Sequence, residues 1–409
     1  MGEATLIVRQ GERLNLNRCI EIAQKMQPNI AFAVNTVYAT RARVSQAQSG
    51  YYPQVDASAG WSRSDPAAEV GAGSSKSSGL YTGSVNLKQN IYDFGRTSGQ
   101  VNAERYNLES SRSDLENTRN QTAFNVKAAY YGALLAGKNR DVSQEAVKQF
   151  EEHLLQAKGF YEVGTKPKID VTRAEVDLSG AKVGLIKAEN SLRIAKINLR
   201  NAMGIPEAPL FDIEDDLTFQ GFDIGLEEAV SRAFSSRPDL KSLIERKKSS
   251  EENVELAKKS YYPVLSGSAA YNWAGESFPL ERGWNLGAVV TMPVFSGFLT
   301  KYQVEESRAN LNAVNANLEL LRQNVILDVQ QAWFNLKEAL ERVPAAELAL
   351  RQAAENLELA NARYATGVGS PIEITDASAA YINAKLTHFQ SLSDYKVAEA
   401  NLEKAMGKR

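Results

Sequence analysis

Tyr364-Ala-Thr-Gly367-Val-Gly369-Ser-Pro371-Ile-Glu373-Ile-Thr375-Asp376-Ala377 is a stretch that this chain writes twice. The earlier copy reads Tyr161-Glu-Val-Gly164-Thr165-Lys166-Pro167-Lys168-Ile-Asp170-Val-Thr172-Arg-Ala174. Gly164 and Gly367 lie 203 positions apart, and so do Asp170 and Glu373. Each copy interrupts two long helical patterns with Gly and Pro, so each reads as the tight turn of a helical hairpin. Two hairpin tips on one duplicated chain is the organisation to be explained.

Working outward, the duplication covers nearly everything. Leu16 to Pro28-Asn29 matches Leu226 to Pro238-Asp239 at an offset of 210, as Tyr51-Tyr52-Pro53 matches Tyr261-Tyr262-Pro263. After Tyr92 and Phe295 the offset is 203, and it holds to Asn198-Leu199-x-x-Ala202-Met203-Gly204 against Asn401-Leu402-x-x-Ala405-Met406-Gly407. The first half therefore carries seven extra residues, which fall where Glu69 to Gly79 reads as a flexible Gly/Ser loop tip. The expected division is a first repeat over residues 1–203, a crossover over 204–225 and a second repeat over 226–409. The crossover is acidic, Pro-containing and aperiodic, and reads as a collar around the middle of a tube.

Most of each half is helical. Val304, Leu311, Leu318, Val325, Ala332 and Ala339 recur every seven residues, with Val314 and Leu321 between them, and Val101, Leu108, Leu115, Thr122, Ala129 and Ala136 give a weaker version. From Gly95 to Glu162 there is no proline, so one helix there would be ~100 Å long at ~1.5 Å per residue. The alanines Ala345, Ala346, Ala349, Ala353, Ala354, Ala360 and Ala362 are assigned to return helices that approach one another closely.

After each Tyr-Tyr-Pro the period changes to two, predicting hairpins over about 53–92 and 263–295. Val55, Ala57, Ala59 and Trp61 alternate with polar residues, as do Tyr81, Gly83, Val85 and Leu87; Leu265 to Trp273 and Trp284 to Met292 repeat the pattern. Runs of about ten residues suit a tilted strand crossing a bilayer. An apolar face with Trp61, Tyr81, Trp273 and Trp284 near its ends, opposite a small polar face, is the lipid-out, water-in pattern. Ordinary surface hairpins with one buried face are the plainer alternative. Four strands cannot close a barrel, and free edges are not tolerated in hydrocarbon. Identical chains must therefore pool strands: two would give eight, three would give twelve.

Composition sets limits. The chain has 409 residues, 43% hydrophobic and 23% charged, which excludes wholesale disorder. A net charge of −2 gives no nucleic-acid footprint. No run of about 18 apolar residues predicts a transmembrane helix. Met1-Gly2-Glu3-Ala4 opens into polar sequence without a signal-peptide pattern, so the expected state is soluble, a mature form with its leader removed, or a membrane protein of the barrel kind. Leu16-Asn17-Arg18-Cys19 has no apolar stretch before it, which favours a buried helix thiol over a lipid anchor at the single cysteine.

Sites of chemistry are scarce. Gly132 to Asn139 nearly spells a phosphate-binding loop, but Asn139 stands where Ser or Thr must reach magnesium, and the run lies inside a heptad helix. Asp93-Phe94-Gly95 reads as a strand-to-helix corner, matched with Phe295-Ser296-Gly297. His153 and His388, the only histidines, have no second ligand at metal spacing and read as surface residues. No cofactor, metal or catalytic set is expected.

Glu373 and Asp376, three apart, share a helical face just past the second turn. One reading is acids favoured by the helix N-terminus. The other is a ring of carboxylates, where tips of several chains converge, that narrows a tube and favours cations. Two such charges ~4 Å apart repel by about 4 kcal/mol at an effective dielectric of ~20.

The doubled plan, with Tyr-Tyr-Pro before each strand hairpin, a Gly-centred tip followed by Asp170-Val171 or Glu373-Ile374, and Asn-Leu-x-x-Ala-Met-Gly closing each half, resembles the TolC family of outer-membrane efflux channels. The resemblance covers essentially the whole chain. It implies a mainly α fold with a transmembrane β part: a homotrimer in the outer membrane of a Gram-negative bacterium, with a twelve-stranded β-barrel, four strands per chain, continued by an α-helical barrel across the periplasm. It implies a passive exit duct of a tripartite efflux or type I secretion system, whose tips (Gly164, Thr165, Lys166, Gly367, Val368 and Gly369) dock on a periplasmic adaptor and an inner-membrane pump. It puts the gate at Glu373, Asp376, Asp170 and Tyr364. It departs at Gly369, where the family's network has an Arg, a role that Lys166 or Lys168 could fill. The rival reading is a soluble coiled-coil scaffold.

Overall fold

The structure, a computed structural model, describes residues 8–64, 78–209, 211–221 and 224–408. The loop expected between Glu69 and Gly79 lies, up to Ser77, outside the described residues, as does the opening Met1–Ala4 stretch. The elements run β1 (Arg13–Leu14), α1 (Leu16–Met26), α2 (Pro28–Gln48), β2 (Gln54–Ser64), β3 (Ser78–Tyr92), α3 (Arg96–Glu162), α4 (Lys168–Ala202) and β4 (Asp212–Ile213). They continue α5 (Leu226–Ser236), α6 (Pro238–Lys259), β5 (Val264–Gly275), β6 (Glu281–Thr291), α7 (Leu299–Ala365) and α8 (Pro371–Ala405). Helices α3 and α7 are each 67 residues long, and α4 and α8 each 35. The alanine series from Ala345 to Ala362 lies on α7, not on a return helix, because α7 runs through Pro344 and turns back only at Gly367.

Two compact units are present, and each draws on both halves of the chain. One comprises Met1–Val34, Asp114–Leu240 and Leu321–Arg409; the other comprises Asn35–Ser113 and Lys241–Leu320.

In the first unit the heptad positions form the core. Val325, Ala332 and Ala339 are buried with Leu392, Tyr395 and Leu402 of α8, while Val126 and Tyr130 of α3 pack with Leu199 of α4 and with Cys19, Ile22 and Ala23 of α1. Cys19 is a buried helix thiol, and that burial pushes it up to about 12. Asn15 caps α1, its Oδ1 accepting from Arg18 N at 2.9 Å. Gly204, at φ +74, closes α4 so near Met26 O that a Cβ would lie 2.7 Å away, and Gly407 closes α8 in the same conformation.

The crossover is tied to this core. Tyr130 Oη donates to Glu214 O at 2.7 Å, and Trp333 Nε1, 203 positions later, donates to Ile224 O at 2.8 Å. Lys138, of the false phosphate loop, pairs with Asp215. Read as aperiodic, the crossover nonetheless contains β4, which pairs in parallel with β1. Two-residue strands are too short to carry a period.

The second unit holds a four-stranded antiparallel sheet in the order β2-β3-β5-β6. The corner from β3 into α3 places Phe94 and Gly95 at φ +53 and +79; the corner into α7 places Gly297 and Phe298 at +62 and +65. Both corners use two successive left-handed residues, with Gly and Phe exchanged, so the structural counterpart of Asp93 is Ser296. Asp93 caps α3, accepting from Gly95 N at 2.9 Å and Thr97 N at 2.7 Å.

Candidate functional site

The register of the sheet decides what its two faces are. Ala57 pairs with Val85, Val85 with Tyr271 and Tyr271 with Trp284; Val55 pairs with Leu87, Leu87 with Ala269 and Ala269 with Leu286. One face is therefore apolar across all four strands. On the other, Ser58 meets Ser84 with hydroxyls 2.8 Å apart, Asn86 Nδ2 donates to Ser84 Oγ at 2.9 Å, and Asn272 Nδ2 donates to Asn285 Oδ1 at 3.3 Å. The apolar face has no cover among the described residues: Trp284 is 75% exposed and Leu286 76%. The outer strands β2 and β6 have no strand partner on their far sides among the described residues.

The predicted aromatics cluster toward the hairpin turns. Trp61 pairs with Tyr81, whose ring lies 5.4 Å from Phe278, and Trp273 lies 4.8 Å from Tyr271. A second aromatic group, missed in the sequence, lies at the opposite strand ends. Phe94 stacks on Tyr262 at 5.4 Å and meets Tyr92 edge-on at 4.7 Å, while Phe295 meets Phe298 at 5.6 Å. The Tyr-Tyr-Pro marker was its signal, since it places aromatics at the entry of each hairpin.

At the helical end, both turns have the same construction. Gly164 at φ +75 donates to Tyr161 O at 3.0 Å, while Thr165 N and Lys166 N both donate to Phe160 O. Gly367 at φ +81 donates to Tyr364 O at 3.0 Å, while Val368 N and Gly369 N both donate to Arg363 O, at 3.1 and 2.8 Å. Helix-end carbonyls are thus satisfied locally, and each turn is fixed by its own backbone. Gly164, Thr165, Gly367 and Val368 are exposed; Gly369 is buried, and a Cβ there would lie 2.8 Å from Tyr364 N.

Side chains then join one hairpin to the other. Tyr364 is fully buried between His153 and Phe160, with ring centroids 5.3 and 5.4 Å away. Burial raises the Tyr364 phenol above its usual value, and the charge of Asp170, partly buried in the first turn of α4, adds to the shift. Lys166 lies over the Tyr364 ring, 5.7 Å from its centroid, and its Nζ is 3.5 Å from Gly369 O. Lys168 is exposed, with no partner among the described residues. Thr375 Oγ1 donates to Asp177 at 3.0 Å, and Glu145 accepts from Lys385 Nζ at 2.6 Å and from Tyr381 Oη at 3.2 Å.

The two tip carboxylates have different surroundings. Glu373 pairs with Arg363 at 3.0 Å, and the hydrogen bond from that guanidinium holds it below the ordinary carboxylate value. Asp376 is exposed and has no partner among the described residues. His153 is not a surface residue: it is 5% exposed, because it continues a seven-residue series from Ala146 to Phe160 on the packed face of α3. His388 is half-buried as well. Among the described residues no group of three or more His, Cys, Asp or Glu is placed to hold a metal, and no helix is long and apolar enough to cross a membrane.

Comparison with known proteins gives a consistent result. The family profile described as outer membrane efflux protein matches residues 19–205 and 229–408. The chain is 22% identical to the outer membrane protein TolC of Vibrio cholerae serotype O1 over 406 residues, covering 96% of this chain and 90% of that protein. Among solved structures, CusC, determined in work on folding and transmembrane channel formation, superposes with a TM-score of 0.86 at 18% identity, covering 96% of this chain and 92% of that one. The CmeC outer membrane channel of Campylobacter jejuni gives 0.84 at 19% identity, covering 96% and 85%.

Proposed function

This chain belongs to the outer membrane efflux protein family, and from that premise we propose that three copies of it form a gated duct, closed and opened at the helical tips. Its place is the outer membrane, and its role is that of an efflux exit channel. The observation that carries the assembly is the sheet: one face apolar across all four strands, and two edges without strand partners among the described residues. In hydrocarbon each unpaired backbone group costs several kcal/mol, so the strands must continue into those of neighbouring copies. A twelve-stranded barrel from three chains supplies that continuation.

Exposed heptads support the same reading in the helical part. Ile169, Val176 and Val183 form an uncovered seven-residue series on α4, interrupted at Asn190 and resumed at Ile197, and Leu327 and Phe334 form another on α7, interrupted at Glu341 and resumed at Leu348. Apolar residues at that spacing are the material of helix–helix seams, and here they have no cover among the described residues. A soluble scaffold would leave both the seams and the sheet face in water, so that reading is not favoured.

Opening is a separation of the α3/α4 hairpin from the α7/α8 hairpin. It breaks Lys166–Gly369 O, Thr375–Asp177, Glu145–Lys385 and the packing of Tyr364 on His153, and leaves the bonds within each turn intact. Asp170 and Tyr364 thus belong to the closure, and Glu373 and Asp376 to the mouth it controls. The turns around Thr165 and Val368 present exposed backbone and side chains to a periplasmic adaptor, which couples the duct to an inner-membrane pump.

Photocrosslinking tests the docking. A photoreactive residue at Thr165 or Val368, in cells that co-express a candidate adaptor and pump, is expected to capture the adaptor at both tips. Capture at neither, with the duct present in the outer membrane, contradicts the docking assignment.

A further inference from the structure

We infer that Arg363 sets the charge of the tip aperture by pairing with Glu373, which leaves Asp376 the uncompensated member of the two α8 carboxylates there. This rests on the duct reading above and concerns its ion preference. The sequence offers two acids on one helical face; the structure offers one acid and one neutral pair.

The pair is built in by the turn. Arg363 O accepts from Val368 N, Gly369 N and Thr366 Oγ1, so the backbone that carries the guanidinium is held by three donors. Glu373 lies in the first turn of α8, its N–H donating to Ser370 O at 3.1 Å, directly after the Ser370 cap. Both ends of the 3.0 Å contact are therefore anchored to a single locked turn. The contact lies within one hairpin, unlike Lys166–Gly369 O, which joins two. Separation of the hairpins breaks the second and leaves the first, so the neutralisation persists in the closed and the open duct.

The other tip shows what the pairing changes. At the positions 203 earlier, Phe160 stands for Arg363 and Asp170 for Glu373. A phenyl ring cannot compensate a carboxylate, and Asp170 instead turns its charge on Tyr364 and His153. Compensation is thus a property of the second tip, conferred by one arginine.

Both partners are about half exposed, and an ion pair of that kind contributes little to folding stability. Its effect is on ions that pass within a Debye length, about 10 Å at 0.1 M salt. Each copy carries one net negative charge from the pair plus Asp376. Without Arg363 it carries two.

Reversal potentials of the full-length protein in planar bilayers, under a KCl gradient, test the inference. Arg363→Gln is expected to raise the cation-to-anion permeability ratio about twofold or more and to tighten block by divalent cations. Glu373→Gln frees the guanidinium and lowers the ratio, as Asp376→Asn also does. Arg363→Gln with Glu373→Gln restores the wild-type ratio, a result that a purely structural role would not give. An unchanged ratio in Arg363→Gln, or a double variant as shifted as Glu373→Gln, overturns the assignment while the duct stands. A wild-type protein that forms no conducting channel removes the duct reading and the inference with it.

Discussion

Tyr364 and His153 meet edge to face, ring centroids 5.3 Å apart, with the hydroxyl of one and the Nδ1 of the other buried and without hydrogen-bond partners among the described residues. An unsatisfied buried polar atom costs about 1–3 kcal/mol. Packing against Phe160 and the Lys166 ammonium over the Tyr364 ring keep the cluster together. The closure of the tip therefore contains its own weak point.

Acid should loosen it. Burial holds His153 below the ordinary imidazole value of 6.5, more strongly than Asp177 and Asp170 push it up. The imidazole of an opened tip binds a proton more readily than the buried one. The contribution of neutral His153 to closure is thus complete above the ordinary imidazole range and lost as pH falls through the depressed folded value. Amide protection factors over residues 153–170, that is exchange corrected for its intrinsic dependence on pH, should fall from about pH 7.5 to about pH 5.5, and His153→Phe should remove that fall. The same dependence in the variant would exclude His153 as its source.

The two glycines of the second turn should respond differently. Gly367 has open space around its Cβ position and φ +81, so Gly367→Asn should be tolerated within about 1 kcal/mol, since Asn adopts the left-handed region. Gly369→Ala places a methyl 2.8 Å from Tyr364 N, and moving that backbone should cost about 1–3 kcal/mol. Amide exchange across residues 363–373 measures both; equal effects would contradict the turn geometry.

Charge on the sheet should be tolerated on one face only. Leu286→Arg places a guanidinium on the apolar face, at a cost of about 2–4 kcal/mol near a bilayer midplane, and should deplete the protein from outer-membrane fractions. Ser58→Arg lies on the opposite face, beside Ser84, and should leave insertion intact while altering conductance. Insertion of both variants alike would reverse the assignment of faces.

The uncovered helix series should govern assembly. Val183→Glu, at a side chain 52% exposed in the single chain, should dissociate the oligomer in mild detergent without reducing helix content. An intact oligomer would show that α4 does not form the seam.

Much of this arrangement was legible in the sequence because it recurs. The paired markers locate both turns, and the seven-residue series at Val325, Ala332 and Ala339 names core positions of α7 in advance. Alternation from Val55 to Trp61 finds β2 and the face it presents. What escaped is what repetition does not carry. The Arg363–Glu373 pair spans ten residues across a turn, outside any helical spacing, and Phe160 replaces the arginine in the first copy. His153 looked like a surface residue because a single histidine shows no environment of its own; only its place between Ala146 and Phe160 reveals that it is buried. The β1–β4 pairing joins segments of two residues, too short for any periodic signal.

The mass of the particle purified from outer membranes in mild detergent tests the account most directly, because four strands cannot seal a pore alone. Three chains per particle is the predicted result. A monodisperse single-chain particle would contradict the shared barrel, and with it the duct.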